Sequence, residues 1–126
     1  MATFAQDGAF RAAPSSADYS ADGTGQYRAV KLTGTGTVVL CGAADVDFAG
    51  VLQDNPASGE TATYKVRDVS WAIAGAAIAL TDELTTDAAG RFVPATTGQV
   101  IVGRPVSAAA ASGDKFSLEI RPGGTK

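Results

Sequence analysis

The stretch from Gly50 to Ile73 constrains the fold more than any other part of the chain, because a short turn joins two strand-like segments there. Asn55, the only asparagine in the 126 residues, stands directly before Pro56. A residue before proline is pushed towards extended geometry, and an Asn-Pro pair favours turn initiation. Ser58-Gly59 adds a second break. Residues 53–59 are therefore predicted to connect two strands.

Side chains alternate along the segment that follows this turn. Ala62 and Tyr64 would lie on one face of a strand, with threonine and basic side chains on the other. Because a period of two is typical of a half-buried strand, Thr61–Val69 is the strongest strand prediction in the chain. Ser70–Ile73 is expected to continue this strand, which would place both Tyr64 and Trp71 in the core.

Other short alternating or apolar segments lie on both sides of this unit, and turns rich in Gly, Pro or Asp separate them. The segments predicted as strands are 26–32, 38–41, 50–53, 85–87, 91–93, 99–106 and 115–121. About seven or eight short strands with turns between them are typical of an all-β sandwich or a small barrel. At most one or two short helical turns are expected, in residues 42–49 and 81–84.

The chain length suits one domain, which we divide into an arm, a body and a tail. Residues 1–26 show neither helical nor strand periodicity and are predicted as an extended N-terminal arm. Residues 27–121 are predicted as the β domain, and residues 122–126 as a C-terminal tail. The arm carries three aromatic residues, which are Phe4, Phe10 and Tyr19. It is either a loose terminus or an arm whose aromatic side chains dock on a neighbouring subunit.

Residues able to support catalysis or metal binding are scarce. The chain has no histidine, which excludes Ser-His-Asp and Cys-His catalysis and histidine metal sites. The single cysteine, Cys41, follows an apolar run and is predicted to be a buried, unreactive thiol. Two groups of carboxylates, Asp45 with Asp47 and Asp82 and Glu83 with Asp87, lack the spacing of a calcium loop. Asp82 and Asp87 are predicted to be turn or cap residues. No enzymatic activity, cofactor or metal is predicted.

The charge pattern argues against several classes of partner. The net charge is -3, and the ten Lys and Arg residues are interspersed without a basic run, so nucleic-acid binding is not expected. No apolar run approaches the roughly 18–20 residues of a membrane span. The N-terminus lacks the basic start and apolar core of a signal peptide, so synthesis in a reducing cytosol is expected. Charged residues make up 18%, below the usual ~25%, which leaves more surface for protein contact.

A set of turns and small residues supports a family resemblance. These segments are Phe48–Leu52, Asn55–Glu60, Val69–Trp71, Ala74–Ile78, Asp82–Thr85, Asp87–Arg91, Gly103 and Ala108–Asp114. With them, the chain from Tyr27 to Ile120 resembles the capsid cement, or head decoration, proteins of tailed bacteriophages. The likeness lies in turn patterns and not in a catalytic signature.

The resemblance implies a β-rich fold and a structural function in the virion. Such proteins are expected to bind the outside of the expanded head as homotrimers, at threefold or quasi-threefold positions. There they contact the major capsid protein and stabilise the head. Because N-terminal segments of such proteins often reach the lattice or a sister subunit, the predicted contact residues are Phe4, Phe10, Arg11 and Tyr19.

An alternative function is a virion-surface module that recognises host glycans. Glycan sites usually present stacked aromatic side chains, and the candidates here are Tyr19, Tyr27, Tyr64 and Trp71. Since Tyr64 and Trp71 are expected in core strands, the sequence favours the cement function.

Overall fold

The computed structural model describes residues 9–126, so Phe4 lies outside the described residues. Ten strands make up this part of the chain: β1 (Phe10–Pro14), β2 (Ala29–Leu32), β3 (Val38–Leu40), β4 (Phe48–Leu52), β5 (Thr61–Lys65), β6 (Asp68–Ile73), β7 (Leu84–Thr86), β8 (Phe92–Pro94), β9 (Gly103–Pro105) and β10 (Lys115–Ile120). Residues 9–126 contain no helix, and so none with the length and hydropathy needed to cross a membrane.

The strands form two five-stranded antiparallel sheets, which we call sheets A and B. Sheet A has the order β1-β5-β4-β2-β3, and sheet B has the order β6-β10-β9-β7-β8. Residues of both sheets pack in one apolar core, where Phe92 of sheet B contacts Phe48 of sheet A and Phe116 of its own sheet edge to face. This confirms the predicted all-β class and is consistent with a small sandwich. The predicted strands 85–87 and 91–93 pair as a hairpin whose turn contains Gly90 at φ 76°.

The predicted continuous strand over residues 61–73 is divided between the two sheets. β5 ends at Lys65 in sheet A, and the chain resumes at Asp68 as β6 in sheet B. Asp68 has a φ of 69°, a left-handed value that few residues other than glycine adopt. After this change of direction Ser70 and Ala72 point inwards, whereas Trp71 is 49% exposed. The expectation that Trp71 lies in the core is therefore wrong.

The central part of sheet A is buried on both faces. Along β2 and β4, neighbouring residues contribute to opposite sides: Ala29 and Val51 enter the core between the sheets, whereas Val30 and Leu52 enter a second core. Successive side chains of a strand point to opposite faces, so strands covered on both sides are apolar throughout. The buried members of this second core are Tyr19, Val30, Val38, Leu52, Ala62 and Tyr64.

Most of the described N-terminal segment is built into the β domain. Phe10–Pro14 pairs with β5 at the edge of sheet A, and the ring of Tyr19, 8% exposed, completes the second core. The Tyr19 hydroxyl accepts a hydrogen bond from the Leu40 amide at 3.1 Å. β1 was not predicted because its side chains are largely exposed, which removes the apolar alternation that marks a strand.

The C-terminal residues also contact the domain. Thr125 forms an antiparallel bridge with Val100, and the Lys126 amide donates to the Gln99 carbonyl at 2.9 Å. The described parts of the predicted arm and tail are thus hydrogen-bonded to the strands and loops that they flank.

Candidate protein-binding surface

The one thiol of the chain is placed where it cannot act as a nucleophile. Cys41 is 2% exposed and belongs to the core between the sheets. Burial raises its pKa to about 12, so the sulfur stays protonated at neutral pH. Within residues 9–126, no group of three or more Cys, Asp or Glu side chains could hold a metal ion.

The most buried carboxylate stabilises a loop. Asp45 accepts hydrogen bonds from Lys31 Nζ at 2.8 Å and from the amides of Gly42 and Asp47. Burial alone raises the pKa of Asp45, but these hydrogen bonds outweigh it and leave that pKa below its ordinary value. The carboxylate therefore stays ionised and holds the loop between β3 and β4.

An open cleft of about 320 Å³ lies beside the C-terminal segment. Its charged side chains satisfy one another: Glu83 accepts from Arg104 at 2.8 Å and lies 3.5 Å from Lys126. Arg121, also at the cleft, lies 3.9 Å from Glu119. We assign no chemistry to this cleft, because its arginines already face carboxylates.

Phe10 and Trp71 are the exposed aromatic side chains in residues 9–126, and contacts of Lys65 connect Phe10 to the strand that carries Trp71. We call the surface that contains them the aromatic–lysine face and define it by Phe10, Tyr27, Lys65, Val69, Trp71 and Lys115. Phe10 is 51% exposed and Val69 46%, values close to that of Trp71. The face begins on β1 of sheet A, crosses the β5–β6 connection and continues over the outer side of sheet B.

Lys65 joins the two sheets at one end of this face. It lies opposite Phe10 in the β1–β5 pairing, and its Nζ atom is 5.3 Å from the centroid of the Phe10 ring. The same ammonium group donates a hydrogen bond of 2.7 Å to the carbonyl of Val69 at the start of β6. A cation at this distance from a ring is attracted by the ring quadrupole, so Lys65 orders the exposed ring beside it.

Lys115 contacts exposed aromatic rings at the other end of the aromatic–lysine face. Its Nζ atom lies 4.9 Å from the centroid of the Trp71 ring and 5.6 Å from that of Tyr27. The pairing of β6 with β10 sets this arrangement, since Lys115 lies opposite Ile73, two residues after Trp71. Tyr27 is anchored by its backbone, whose carbonyl accepts from the Ile73 amide at 3.0 Å.

Two lysines give the aromatic–lysine face its positive charge, and the nearby carboxylates are Asp68 at the start of β6 and Glu119 on β10. Among residues 9–126, neither Lys65 nor Lys115 forms a salt bridge, and Arg67 in the connection between β5 and β6 forms none either. The carboxylate on the outer side of β10 is Glu119, which lies opposite Val69 and 3.9 Å from Arg121.

The structure separates the residues predicted to make contacts. Phe10 lies on the aromatic–lysine face, and Arg11 beside it is exposed and donates to the Phe10 carbonyl. Tyr19 is a core residue of its own chain, because its ring fills the second core. Phe4 lies outside the described residues.

Sequence reasoning missed Lys65 and Lys115, and it considered Trp71 only as a glycan contact in a core strand. The available signal was the alternation of Val69, Trp71 and Ile73 with small residues, which shows two faces but not which of them is covered.

The fold is a β sandwich with an exposed aromatic surface. The protein therefore belongs to the class of β domains that present side chains on their surface. Comparison with known proteins names the family. The chain matches the family described as phage cement protein over residues 21–121. This match covers most of the chain, so the protein belongs to the phage cement protein family and is a structural protein of the phage head.

Among solved structures, the fold is similar to that of the head fiber gp8.5 N base in bacteriophage phi29. The TM-score is 0.70 at 19% sequence identity, over 89% of this chain and 92% of that chain. At this identity the likeness shows a shared fold. No curated protein matches the chain.

Proposed function

We propose that the protein is a decoration protein that binds the outer surface of the expanded phage head and stabilises it. It acts as a homotrimer at threefold or quasi-threefold positions, where it contacts neighbouring copies of the major capsid protein. The observation that carries this proposal is membership of the phage cement protein family over residues 21–121.

The stabilisation follows from mass action. A partner that binds the expanded lattice and not its disrupted form stabilises it by RT ln(1 + [L]/Kd), about 2.7 kcal/mol per site at a concentration of 100 Kd. Because a head offers many equivalent sites, small contributions add up without any chemical step. The Cys41 thiol, which is buried, and the carboxylates used in turns are in keeping with such a passive role.

The contact area that such binding requires is large for a domain of this size. Stable protein interfaces bury roughly 1,200–2,000 Å² in total. Trimerisation would help, since three copies on one symmetry axis bind the lattice together and gain from high effective concentration. Exposed aromatic side chains such as Phe10 and Trp71 supply the apolar area that such contacts use.

Binding to heads tests this proposal directly. Purified protein is mixed with expanded heads of the encoding phage that were prepared without it, and with unexpanded heads as the control. We expect co-sedimentation with expanded heads alone and a higher temperature of head disruption. Failure on both counts would refute the cement function.

Trimer formation and position on the head are tested separately. Sedimentation equilibrium of the free protein measures the oligomeric state, and images of decorated heads show the binding position. A monomer both in solution and on the heads, or protrusions away from the threefold axes, would refute that part of the proposal.

Recognition of a host glycan is the second candidate, and the exposure of Trp71 is the observation that favours it. Lys115 Nζ already lies over one face of the Trp71 ring, however, which leaves only the other face for a sugar to stack on. Binding of the protein to host cell-surface polysaccharide, abolished by Trp71→Ala, would support this function instead.

A further inference from the structure

We infer that the aromatic–lysine face is the surface that contacts the capsid, and that its partner there is a carboxylate-bearing surface of the major capsid protein. This inference rests on the proposed cement function and deepens it by assigning a face and a chemistry.

The apolar part of the argument is the clustering of exposed rings. Of the seven exposed large apolar side chains in residues 9–126, three lie on this face, which are Phe10, Val69 and Trp71. Tyr27 adds a fourth apolar surface through its contact with Lys115. Aromatic residues are enriched at protein interfaces, and Trp and Tyr dominate the residues whose truncation costs most affinity. A surface of this composition is suited to contact with protein.

The charge of the face specifies the partner. Elsewhere in the described chain, Lys31, Arg91 and Arg104 each have a carboxylate oxygen within 2.8–2.9 Å. Lys65 and Lys115 instead have aromatic rings and, for Lys65, one backbone carbonyl. Lysine is depleted at protein interfaces in general, so these two lysines would be unfavourable in one unless the partner brings compensating negative charge.

The rings also prepare both ammonium groups for a carboxylate. Lys65 and Lys115 are held 4.9–5.6 Å from ring centroids, and an ammonium group has three N–H donors, so a contact with a ring does not use up its capacity to bind a carboxylate. When the partner covers the rings, water is excluded and the attraction between ammonium and carboxylate strengthens. Binding is then strong only where the partner surface offers both apolar area and negative charge.

Addition of a partner strand at the nearby sheet edge is a poorer use of this surface. The Val66 amide donates to the Ala9 carbonyl, and the Ser15 amide donates to the Glu60 carbonyl. The backbone N–H and C=O groups of the odd-numbered residues of β1 therefore face β5. The open edge therefore presents Phe10, Ala12 and Pro14. Pro14 has no amide hydrogen, and the Phe10 carbonyl already accepts from Arg11 at 3.1 Å. Contact is thus made by side chains.

Matched variants test the inference on whole protein and expanded heads. Trp71→Ala is paired with Leu80→Ala, an exposed apolar residue outside the face, and Lys115→Gln with Lys126→Gln. A double variant, Lys65→Gln with Lys115→Gln, removes the charge. We expect Trp71→Ala to raise the Kd for heads about 30-fold, as for a central aromatic contact. The double lysine variant should raise it about tenfold at low salt and less at high salt, where charges are screened. Both controls should stay within about twofold of the unmodified protein.

Each outcome decides the inference. If the unmodified protein binds heads and the face variants bind equally well, the inference is overturned and the cement function stands. If the unmodified protein does not bind, both fall. Affinity that does not decrease with salt overturns the carboxylate partner.

The oligomeric state of each variant is measured in parallel. Loss of the oligomer in Trp71→Ala would assign the face to contacts between copies of this chain and would also overturn the inference. Lys115→Glu provides a second test if Trp71→Ala does not fold, because reversal of an exposed charge should weaken binding more than Lys115→Gln does.

Discussion

The side-chain oxygen of Asn55 accepts a hydrogen bond of 2.8 Å from the backbone amide of Gln26, 29 residues earlier in the chain. The same oxygen accepts a second bond, of 3.1 Å, from Gly25. The adjacent Pro56 carbonyl accepts from the amide of Tyr19. The turn between β4 and β5 therefore holds residues 19–26, the segment that covers the second core, in place by hydrogen bonds. Its function in the fold is to hold a long-range contact, in addition to reversing the chain.

Asn55→Ala is expected to destabilise the protein by about 1–3 kcal/mol, because two partly buried amides lose their acceptor. Asn55→Asp is the matched control, since a carboxylate oxygen can accept both bonds and should preserve most of the stability at neutral pH. Urea unfolding monitored by tryptophan fluorescence measures both. Equal stability of Asn55→Ala and the unmodified protein would show that these two hydrogen bonds do not contribute to the free energy of unfolding.

Tyr19→Ala is expected to cost about 3 kcal/mol, because it leaves a cavity in the second core. Tyr19→Phe should cost about 1 kcal/mol, the usual value of one hydrogen bond, here the one from the Leu40 amide. Phe10→Ala is the exposed comparison and should change the free energy of unfolding by less than about 0.5 kcal/mol. If Tyr19→Ala were as mild as Phe10→Ala, the second core would not contribute to stability.

Gly25 lies in the segment that covers the second core, at a position with no room for a side chain. A methyl group added there would lie 2.8 Å from Tyr19 and 2.9 Å from Leu52, so Gly25→Ala should cost about 1–3 kcal/mol through overpacking. Gly34→Ala is the control, because a methyl group there meets nothing within 4 Å and the backbone is not left-handed. Its stability should be unchanged or slightly raised. Thermal unfolding distinguishes the two, and similar midpoints would contradict the close packing at Gly25.

Asp45 makes stability depend on pH in the acid range. Since its pKa is lower in the folded protein than in the unfolded chain, its stabilising effect is complete above the unfolded value of about 3.9 and is lost as the pH falls through the folded value. Asp45→Asn should therefore lower stability at neutral pH and flatten its decline in acid. Val46→Ala, at the exposed tip of the same loop, should keep the original decline. The free energy of unfolding as a function of pH tests this, and an unchanged profile in Asp45→Asn would refute it.

Much of the fold could be predicted from local patterns. The hairpins of residues 31–41 and 85–93 have strong turn signals, and the alternation in β10 follows from its half-buried position. The structure of residues 1–26 was harder to predict, because neither an exposed edge strand nor an irregular segment packed over a core shows a hydrophobic periodicity. Tyr19 and β1 acquire their positions from contacts with Leu40 and β5, which are distant in sequence.

Sequence alone determined the all-β class, the turns, the absence of histidine chemistry and the resemblance to phage cement proteins, because these depend on residue types and short-range order. Only the tertiary structure decided that the chain changes sheets at Asp68, that Tyr19 faces inwards and that Trp71 faces outwards. The physical reason is that a strand has two equivalent sides, and only the packing of the sheets determines which one water reaches. The aromatic–lysine face is a product of that packing, since it joins residues of β1, β5, β6 and β10 and of the segment before β2 that are far apart in the chain.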